Sequence, residues 1–163
     1  MRIIGIDPGL SGAIAVLEDK KVKELFDMPV MADGKKNKRQ LNSALLVKII
    51  KNSIKSEEET IIVVEQVNAM PGQGVTSMFN FGQTFGAIKG ICAALGLPIF
   101  FVRPSKWKKH FELINSSKDS SRTKVIEMYP SLSNDLAKKK DVNKSDAILI
   151  ARFYSETRLN DTI

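Results

Sequence analysis

Cysteine is nearly absent from this sequence, since Cys92 is the single one among 163 residues. One cysteine excludes an internal disulfide bond and predicts a reducing compartment. The sequence also lacks an apolar run long enough to cross a membrane, and no signal or transit peptide is recognisable. We therefore expect a cytoplasmic protein with no membrane partner.

Acidic residues are fewer than basic ones, with 18 Asp and Glu against 25 Lys and Arg. The net charge of +7 and the pI of about 9.5 favour a polyanionic partner such as nucleic acid. Internal repeats and long linkers are also missing. We expect residues 1–163 to form a single domain, because this length is sufficient for a full hydrophobic core.

The most informative feature that is present is an acid at the end of the first apolar run. Residues 2–6 predict a buried β-strand, and Asp7 follows on a turn that contains Pro8 and Gly9. Residues 13–17 predict a second strand, antiparallel to the first. A carboxylate in this position suits a site for a metal cation or a phosphate. The simpler alternative is that Asp7 caps its own turn.

Two further acids lie at similar positions. Glu65 ends a second β-branched run, residues 60–65, which predicts a central strand covered on both faces. Asp146 precedes the apolar residues 147–151, and we expect it in the first turn of a buried helix. Two strand ends and a helix start are suited to holding one or two Mg²⁺ ions. The alternatives are a salt bridge for Glu65 and capping of the helix dipole by Asp146.

These acidic motifs resemble those of the ribonuclease-H-like superfamily, and within it the RuvC-type Holliday junction resolvases. The matching segments are residues 5–9, 63–66 and 145–151. Residues 118–122 and 129–141 are especially similar to the organellar and phage branch. The resemblance covers nearly the whole chain. It implies an α/β ribonuclease-H-like fold, with a central mixed five-stranded sheet flanked by helices, and metal-dependent cleavage of branched DNA.

One position departs from the family pattern. Bacterial members carry a fourth ligand, Asp or His, three residues before the last acid, where this chain has Asn143; the organellar branch has His at the position of Val142. Either Asn143 or the nearby Asp141 could complete the site, and the i, i+3 spacing to Asp146 favours Asn143. The resemblance implies Mg²⁺, with Mn²⁺ as a substitute and two ions per subunit.

Basic residues form four clusters, although a single cluster is typical of any solvated surface. Four clusters in a chain with converging acids favour phosphate contacts. The clusters consist of Lys35, Lys36, Lys38 and Arg39, of Arg103, Lys106, Lys108 and Lys109, of Lys118, Arg122 and Lys124, and of Lys138, Lys139 and Lys140. Trp107, inside the second cluster, is interpreted as a core residue.

The resemblance assigns roles to two of these basic residues. Lys108 and Arg122 align with positions near the scissile phosphate, which implies stabilisation of transition-state charge and, for Lys108, protonation of the leaving oxygen. The further predicted DNA contacts among the clusters are Lys106, Lys109 and Lys118.

The segment after Glu65 is rich in glycine and proline. Met70 or Gln73 in this loop could wedge into, or read, the open centre of a DNA junction, whereas a plain strand-to-helix connection is the alternative. The next helix carries Gly82, Gly86 and Gly90 four residues apart, a spacing that favours close approach of another backbone. The resemblance implies a homodimer through this helix, and packing on the protein's own sheet is the alternative.

The combined expectation is a dimeric, Mg²⁺-dependent endonuclease that resolves Holliday junctions or other branched DNA by paired symmetric nicks. Asp7, Glu65 and Asp146 would hold the metal ions, in DNA recombination and repair or in phage DNA processing. Because an apolar strand begins at residue 2, we expect a bacterial or phage-infected cell as the source. Two alternatives stay open: a junction-binding protein with little or no activity, and an actin-like ATPase fragment, for which the chain is short.

Overall fold

A computed structural model describes residues 1–34 and 38–158 of the chain. Its strands are β1 (Arg2–Asp7), β2 (Ala13–Glu18), β3 (Lys21–Asp27), β4 (Val30–Ala32), β5 (Arg39–Leu41), β6 (Thr60–Glu65) and β7 (Ile99–Val102). Its α-helices are α1 (Ser43–Ser53), α2 (Val75–Ala94), α3 (Pro104–His110), α4 (Ser120–Met128) and α5 (Val142–Arg158). Lys35 and Lys36 of the first basic cluster lie outside the described residues.

The centre of the molecule is a mixed five-stranded sheet with the strand order β3-β2-β1-β6-β7. Strand β1 pairs antiparallel with β2 and parallel with β6, and β6 pairs parallel with β7. The register aligns Ile6 with Val64, so the next residues, Asp7 and Glu65, end neighbouring strands at the same edge. The predicted α/β fold with a mixed five-stranded sheet is confirmed.

Both faces of the sheet are covered, because side chains alternate between two cores along each strand. Ile3 and Val63 pack with α3, α4 and α5 in one core, whereas Ile4 and Val64 pack with α1 and α2 in the other. By the same alternation, Asp7 and Glu65 belong to the face covered by α5. Strands β1 and β6 are therefore buried on both sides, as their continuous apolar sequences predict.

Helix α5 lies directly on β1 because Gly5 has no side chain. A Cβ on Gly5 would overlap the carbonyl oxygen of Ala147 and lie 2.8 Å from the Cβ of Ala151. This close packing brings the start of α5 to the edge where β1 and β6 end. It thereby places Asp146, the residue before Ala147, above the ends of the two strands.

The predicted position of Asp146 in the first turn of its helix is wrong. Helix α5 begins at Val142, four residues earlier, and has no acid in its first turn. The earlier start follows from a 3-10 turn at Lys139–Asp141, where the Asp141 carboxylate accepts a 2.8 Å hydrogen bond from the Lys138 N–H. Asp146 therefore lies in the second turn, and helix-dipole capping does not explain its presence.

The small β4–β5 hairpin was not expected, since residues 30–41 carry weak strand patterns.

Among the described residues, no helix has both the length and the apolar character needed to cross a membrane.

Candidate metal and nucleic-acid site

Three carboxylates meet at the edge of the sheet under α5. Burial raises the pKa of Asp7 from 3.8 to about 7, and repulsion from Glu65 and Asp146 adds to the effect. The pKa of Asp146 rises to about 6, first because of burial and further because of the charge on Glu65. Burial also raises the pKa of Glu65. The sequence predicted this convergence, although the chemical role of the three acids stays a prediction.

The carboxylate of Asp146 is only partly satisfied by hydrogen bonds. Its Oδ1 is buried and has no hydrogen-bond partner within the described part of the chain. A hydrogen bond from the Ser121 side chain, on α4, lowers the pKa of Asp146. A buried carboxylate oxygen without a partner is costly in a protein unless a cation or a donor compensates it.

No group of three or more Asp, Glu, His or Cys side chains in residues 1–34 and 38–158 is arranged to hold a metal ion. The charges of Glu65 and Asp146 nevertheless raise the pKa of Asp7, and the charge of Glu65 raises the pKa of Asp146. The chemistry of the donor set, three hard oxygen ligands including an uncompensated Oδ1, fits a divalent cation such as Mg²⁺.

The charge of Lys108 acts on all three acids of this group. Its charge lowers the pKa of Asp7, Glu65 and Asp146, so its ammonium group is within electrostatic reach of all three. The Nζ lies 5.3 Å from the centre of the Trp107 ring. Helix α3 is therefore the element that carries the predicted basic group to the site.

Trp107 has a function that its interpretation as a core residue missed. Its side chain is fully buried, and Nε1–H donates a 2.9 Å hydrogen bond to Oε1 of Glu65. This bond lowers the pKa of Glu65 and fixes the carboxylate. A buried tryptophan N–H needs an acceptor, and this requirement was the signal in the sequence.

The two candidates for a fourth ligand differ in their surroundings. Asp141 is buried, and its carboxylate accepts hydrogen bonds from the Lys138 N–H and, at 3.4 Å, from Nζ of Lys144. Asn143 is half-buried in α5, one turn before Asp146, and its Nδ2 donates to the carbonyl of Lys140 at 3.4 Å. Because Asp141 is already used as a cap, Asn143 is the better candidate.

The predicted DNA contacts fall into three groups. Lys118 lines a cavity of about 430 Å³ together with Lys139, Lys140 and Asn143, and its charge reaches Asp146. Lys106 and Lys109 are exposed on α3. Arg122 instead forms a two-point ion pair with Asp119, with both contacts at 2.8 Å, and donates to the carbonyl of Leu136 at 3.0 Å.

The loop between β6 and α2 also lies beside the site. Met70 is 62% exposed, and Gln73 lines a second cavity against α2. On α2 itself, a Cβ on Gly82, Gly86 or Gly90 would meet no atom within 4 Å. The alternative that these glycines pack on the protein's own sheet is therefore wrong, since they lie on the exposed side of the helix.

Comparisons with known proteins agree with this architecture. No family model matches the sequence, and no curated protein does. A structure described as T. thermophilus RuvC in complex with Holliday junction substrate superposes with a TM-score of 0.60 and 16% identity, over 99% of this chain and 97% of that one. A second Thermus thermophilus RuvC structure gives a TM-score of 0.54 and 18% identity, over 97% of each chain.

The chain has a RuvC-type fold. At 16% and 18% identity the likeness concerns the backbone, and it extends over nearly the full length of both RuvC structures. Within this RuvC-type fold, the three acids occupy the ends of β1 and β6 and the second turn of α5. The roles of these side chains are therefore argued from their own geometry.

Proposed function

We propose that the protein is a Mg²⁺-dependent endonuclease that resolves Holliday junctions or other branched DNA. The observation that carries the proposal is the group of Asp7, Glu65 and Asp146, partly buried and with raised pKa values on a RuvC-type fold. Packing alone does not account for three partly buried acids at one sheet edge. The net charge of +7 and the basic groups around the acids support a DNA substrate.

Bound Mg²⁺, with Mn²⁺ as a substitute and two ions per subunit, would activate water and neutralise the phosphate charge. Asp7, Glu65 and Asp146 would hold the ions, and Asn143 would add a neutral carbonyl oxygen. Trp107 keeps one oxygen of Glu65 oriented through its hydrogen bond. Lys108, close to all three acids, would stabilise the developing charge and donate a proton to the leaving 3′ oxygen.

The path of the DNA is proposed from the basic surfaces. The cavity with Lys118, Lys139 and Lys140 suits the phosphates of a strand that enters the site, because the charge of Lys118 reaches Asp146. Lys106 and Lys109, exposed on α3, are proposed as further phosphate contacts. Arg122 contributes indirectly in this proposal, because its guanidinium ties α4 to the segment before α5.

We also propose that the protein acts as a homodimer through α2. Phe79 is 64% exposed, Val75 is 85% exposed, and the glycines of the same helix leave open space beside them. An exposed apolar stripe with small residues suits a second copy of the same helix. Two active sites related by symmetry would make the paired nicks that a four-way junction requires.

The Asp7→Asn variant tests the proposed chemistry. We expect it to bind a synthetic four-way junction in a gel-shift assay as the unaltered protein does, because the amide keeps the shape of the carboxylate. Its nicking rate in saturating Mg²⁺ should fall by more than about a hundredfold. Loss of a metal ligand reduces activity more than loss of a residue that only hydrogen-bonds to a ligand. Asp135→Asn, at an exposed aspartate outside the group of three acids, is the matched control.

Full nicking activity in Asp7→Asn would contradict the mechanism. The second candidate function, a junction-binding protein without catalysis, is favoured by Asn143, a neutral side chain where the resembled bacterial resolvases carry Asp or His. Junction binding by the unaltered protein, without nicking in either Mg²⁺ or Mn²⁺, would support that function instead.

A further inference from the structure

Helix α3 carries two groups of the proposed site, although it is only seven residues long. Trp107 donates to Glu65 from this helix, and the charge of Lys108 acts on all three acids. A helix of this length has little stability of its own, so its position depends on contacts with the rest of the molecule. The contacts that hold α3 in place therefore also determine where the Trp107 N–H points.

The last residue of α3, His110, contacts α5. Its Nε2 lies 2.6 Å from Oε2 of Glu156, and its ring packs edge-on against Phe153 with the ring centres 5.3 Å apart. His110 is the only histidine of the chain and lies three residues after Trp107, on the same side of the helix. Glu156 and Phe153 both belong to α5, the helix that carries Asp146. His110 therefore joins the helix of Trp107 to the helix of Asp146.

The partner of His110 is itself fixed on α5. The other oxygen of Glu156, Oε1, accepts a hydrogen bond from Nε of Arg152. Arg152 also donates to the hydroxyl of Tyr129 at 2.9 Å, and that hydroxyl donates to the carbonyl of Lys20 at 2.7 Å. Burial alone would raise the pKa of Glu156, but the hydrogen bonds from His110 and Arg152 outweigh it and lower that pKa. The ionised carboxylate can only accept, so Nε2 of His110 is the donor.

We propose that His110 is a positioning residue, which holds α3 against α5 so that the Trp107 N–H keeps its bond to Glu65. The proposal rests on the proposed function, because the oriented carboxylate is one that would bind Mg²⁺. The side chains of His110 and Glu156 are 32% and 25% exposed, and an ion pair at this exposure contributes little to overall stability. We therefore expect its effect on the orientation of Glu65, since a ligand loses metal affinity when its outer partner moves.

Two substitutions at His110 separate the hydrogen bond from the packing of the ring. His110→Gln keeps an N–H donor near the position of Nε2 but removes the ring. His110→Phe keeps a ring against Phe153 but removes the donor. Glu156→Gln weakens the same bond from α5, because a neutral amide oxygen is a weaker acceptor than a carboxylate. Glu127→Gln, at an exposed glutamate of α4 outside this pair, is the matched control.

The first measurement follows the indole N–H of Trp107, which is the only tryptophan and gives a single indole signal by NMR. In metal-free protein, exchange of this proton with deuterium should become at least about threefold faster in His110→Phe and Glu156→Gln, since local opening then breaks the bond to Glu65 more often. In His110→Gln and in the control, the rate should stay within about twofold of the unaltered protein. Exchange of the Ile62 N–H, which donates to the carbonyl of Pro98 in the buried sheet, should not change.

The second measurement is the Mg²⁺ concentration needed for half-maximal nicking. It should rise by about threefold in His110→Phe, which is part of the roughly tenfold effect of losing an outer partner altogether. In a Trp107→Phe background, His110→Phe should cause no further rise, because His110 acts through the N–H that is already missing. A further rise in that background would overturn the route through Trp107.

The indole exchange rate decides the proposal independently of nicking. An unchanged rate in His110→Phe, or an equal acceleration in His110→Gln, would overturn it. Faster exchange of the Ile62 N–H together with that of Trp107 would show a general loss of stability and would overturn it as well. If the unaltered protein nicks no junction, the proposed function fails, whereas the indole exchange still shows whether His110 positions Trp107.

Discussion

Folding favours the protonated form of Asp7, because its pKa is higher in the folded protein than in the unfolded chain. The free energy of unfolding therefore depends on pH. The pKa of Asp7 rises from 3.8 to about 7, and that of Asp146 rises to about 6. At a pH between the unfolded and the folded pKa of either residue, the folded state holds more protons than the unfolded state. The free energy of unfolding therefore falls as the pH rises through this range. For Asp7, this stabilisation is complete below about pH 4 and is lost as the pH rises through about 7. Above that pH, Asp7 is deprotonated in both the folded and the unfolded state.

A prediction for stability follows from this fall in the free energy of unfolding with rising pH. Without divalent metal, Asp7→Asn should raise the melting temperature at pH 8, by an amount corresponding to roughly 1–3 kcal/mol. The gain should disappear near pH 4, where Asp7 is neutral in both states. Thermal melts from pH 4 to 8 measure it, with Asp135→Asn as the control. A melting temperature at pH 8 that is unchanged in Asp7→Asn would show that the acid is not destabilising.

Addition of Mg²⁺ should reverse this pH dependence. Because the ion binds the deprotonated carboxylates, Mg²⁺ should raise the melting temperature of the unaltered protein more at pH 8 than at pH 5. Asp7→Asn should show little of this gain. An equal effect of Mg²⁺ at both pH values would place the ion elsewhere on the protein.

Trp107 permits a test of orientation that is separate from metal ligation. Trp107→Phe keeps an aromatic ring but removes the N–H that donates to Glu65 at 2.9 Å. The Mg²⁺ concentration needed for half-maximal nicking should rise by about tenfold, the usual effect of losing an outer partner of a ligand. Junction affinity should not change. Phe111→Leu, at the buried residue directly after α3, loses packing alone and should keep the original Mg²⁺ requirement.

At the scale of the element, two glycines with different surroundings should respond oppositely to the same change. Gly5→Ala places a Cβ against the backbone of α5, so we expect a loss of roughly 3 kcal/mol or more, since overpacking against backbone cannot relax easily. Gly86→Ala adds a Cβ in open space on α2 and should stabilise the isolated subunit by up to about 1 kcal/mol through helix propensity. Urea unfolding of both variants measures the difference; similar effects would contradict the packing of α5 on β1.

The helices and strands were predictable where one period dominates. The apolar runs of β1 and β6 left little choice of structure, because each is continuous and rich in β-branched residues. The start of α5 was not predictable in this way. Its first turn contains Lys144 and Asn143, which are polar, and it follows a cap formed by Asp141, a local side-chain contact without a periodic signal.

The candidate site was predictable in its acids but not in their partners. Asp7 and Glu65 end two apolar strands, a pattern visible in sequence. The hydrogen bonds from Trp107 and Ser121 join residues that are distant in the chain, so only the packing of α3 and α4 on α5 reveals them. Arg122 could not be separated by sequence from the lysines proposed to contact DNA, because its pairing with Asp119 depends on the local geometry of α4.

At the scale of the whole molecule, the proposed homodimer can be tested on the exposed side of α2. Phe79→Glu places a charge in the exposed stripe of α2, where Phe79 is 64% exposed. We expect a monomer by light scattering, with an unchanged melting profile because the side chain contributes little to the core. Glu57→Phe, an exposed site on the loop before β6, is the control for altered surface hydrophobicity. A dimer that persists in Phe79→Glu would place the interface on another surface.

The close packing of α5 on β1 also determines when the protein can become active. Helix α5 covers one face of the sheet and carries Asp146, so the core and the third carboxylate arise from the same element. A chain still on the ribosome, with β1 to α4 synthesised but α5 not yet released, lacks the main cover of one face of its sheet and has only two of the three acids. The proposed DNA-cutting chemistry therefore cannot precede the completed fold, and a prematurely terminated chain that lacks α5 would be unstable and inactive together.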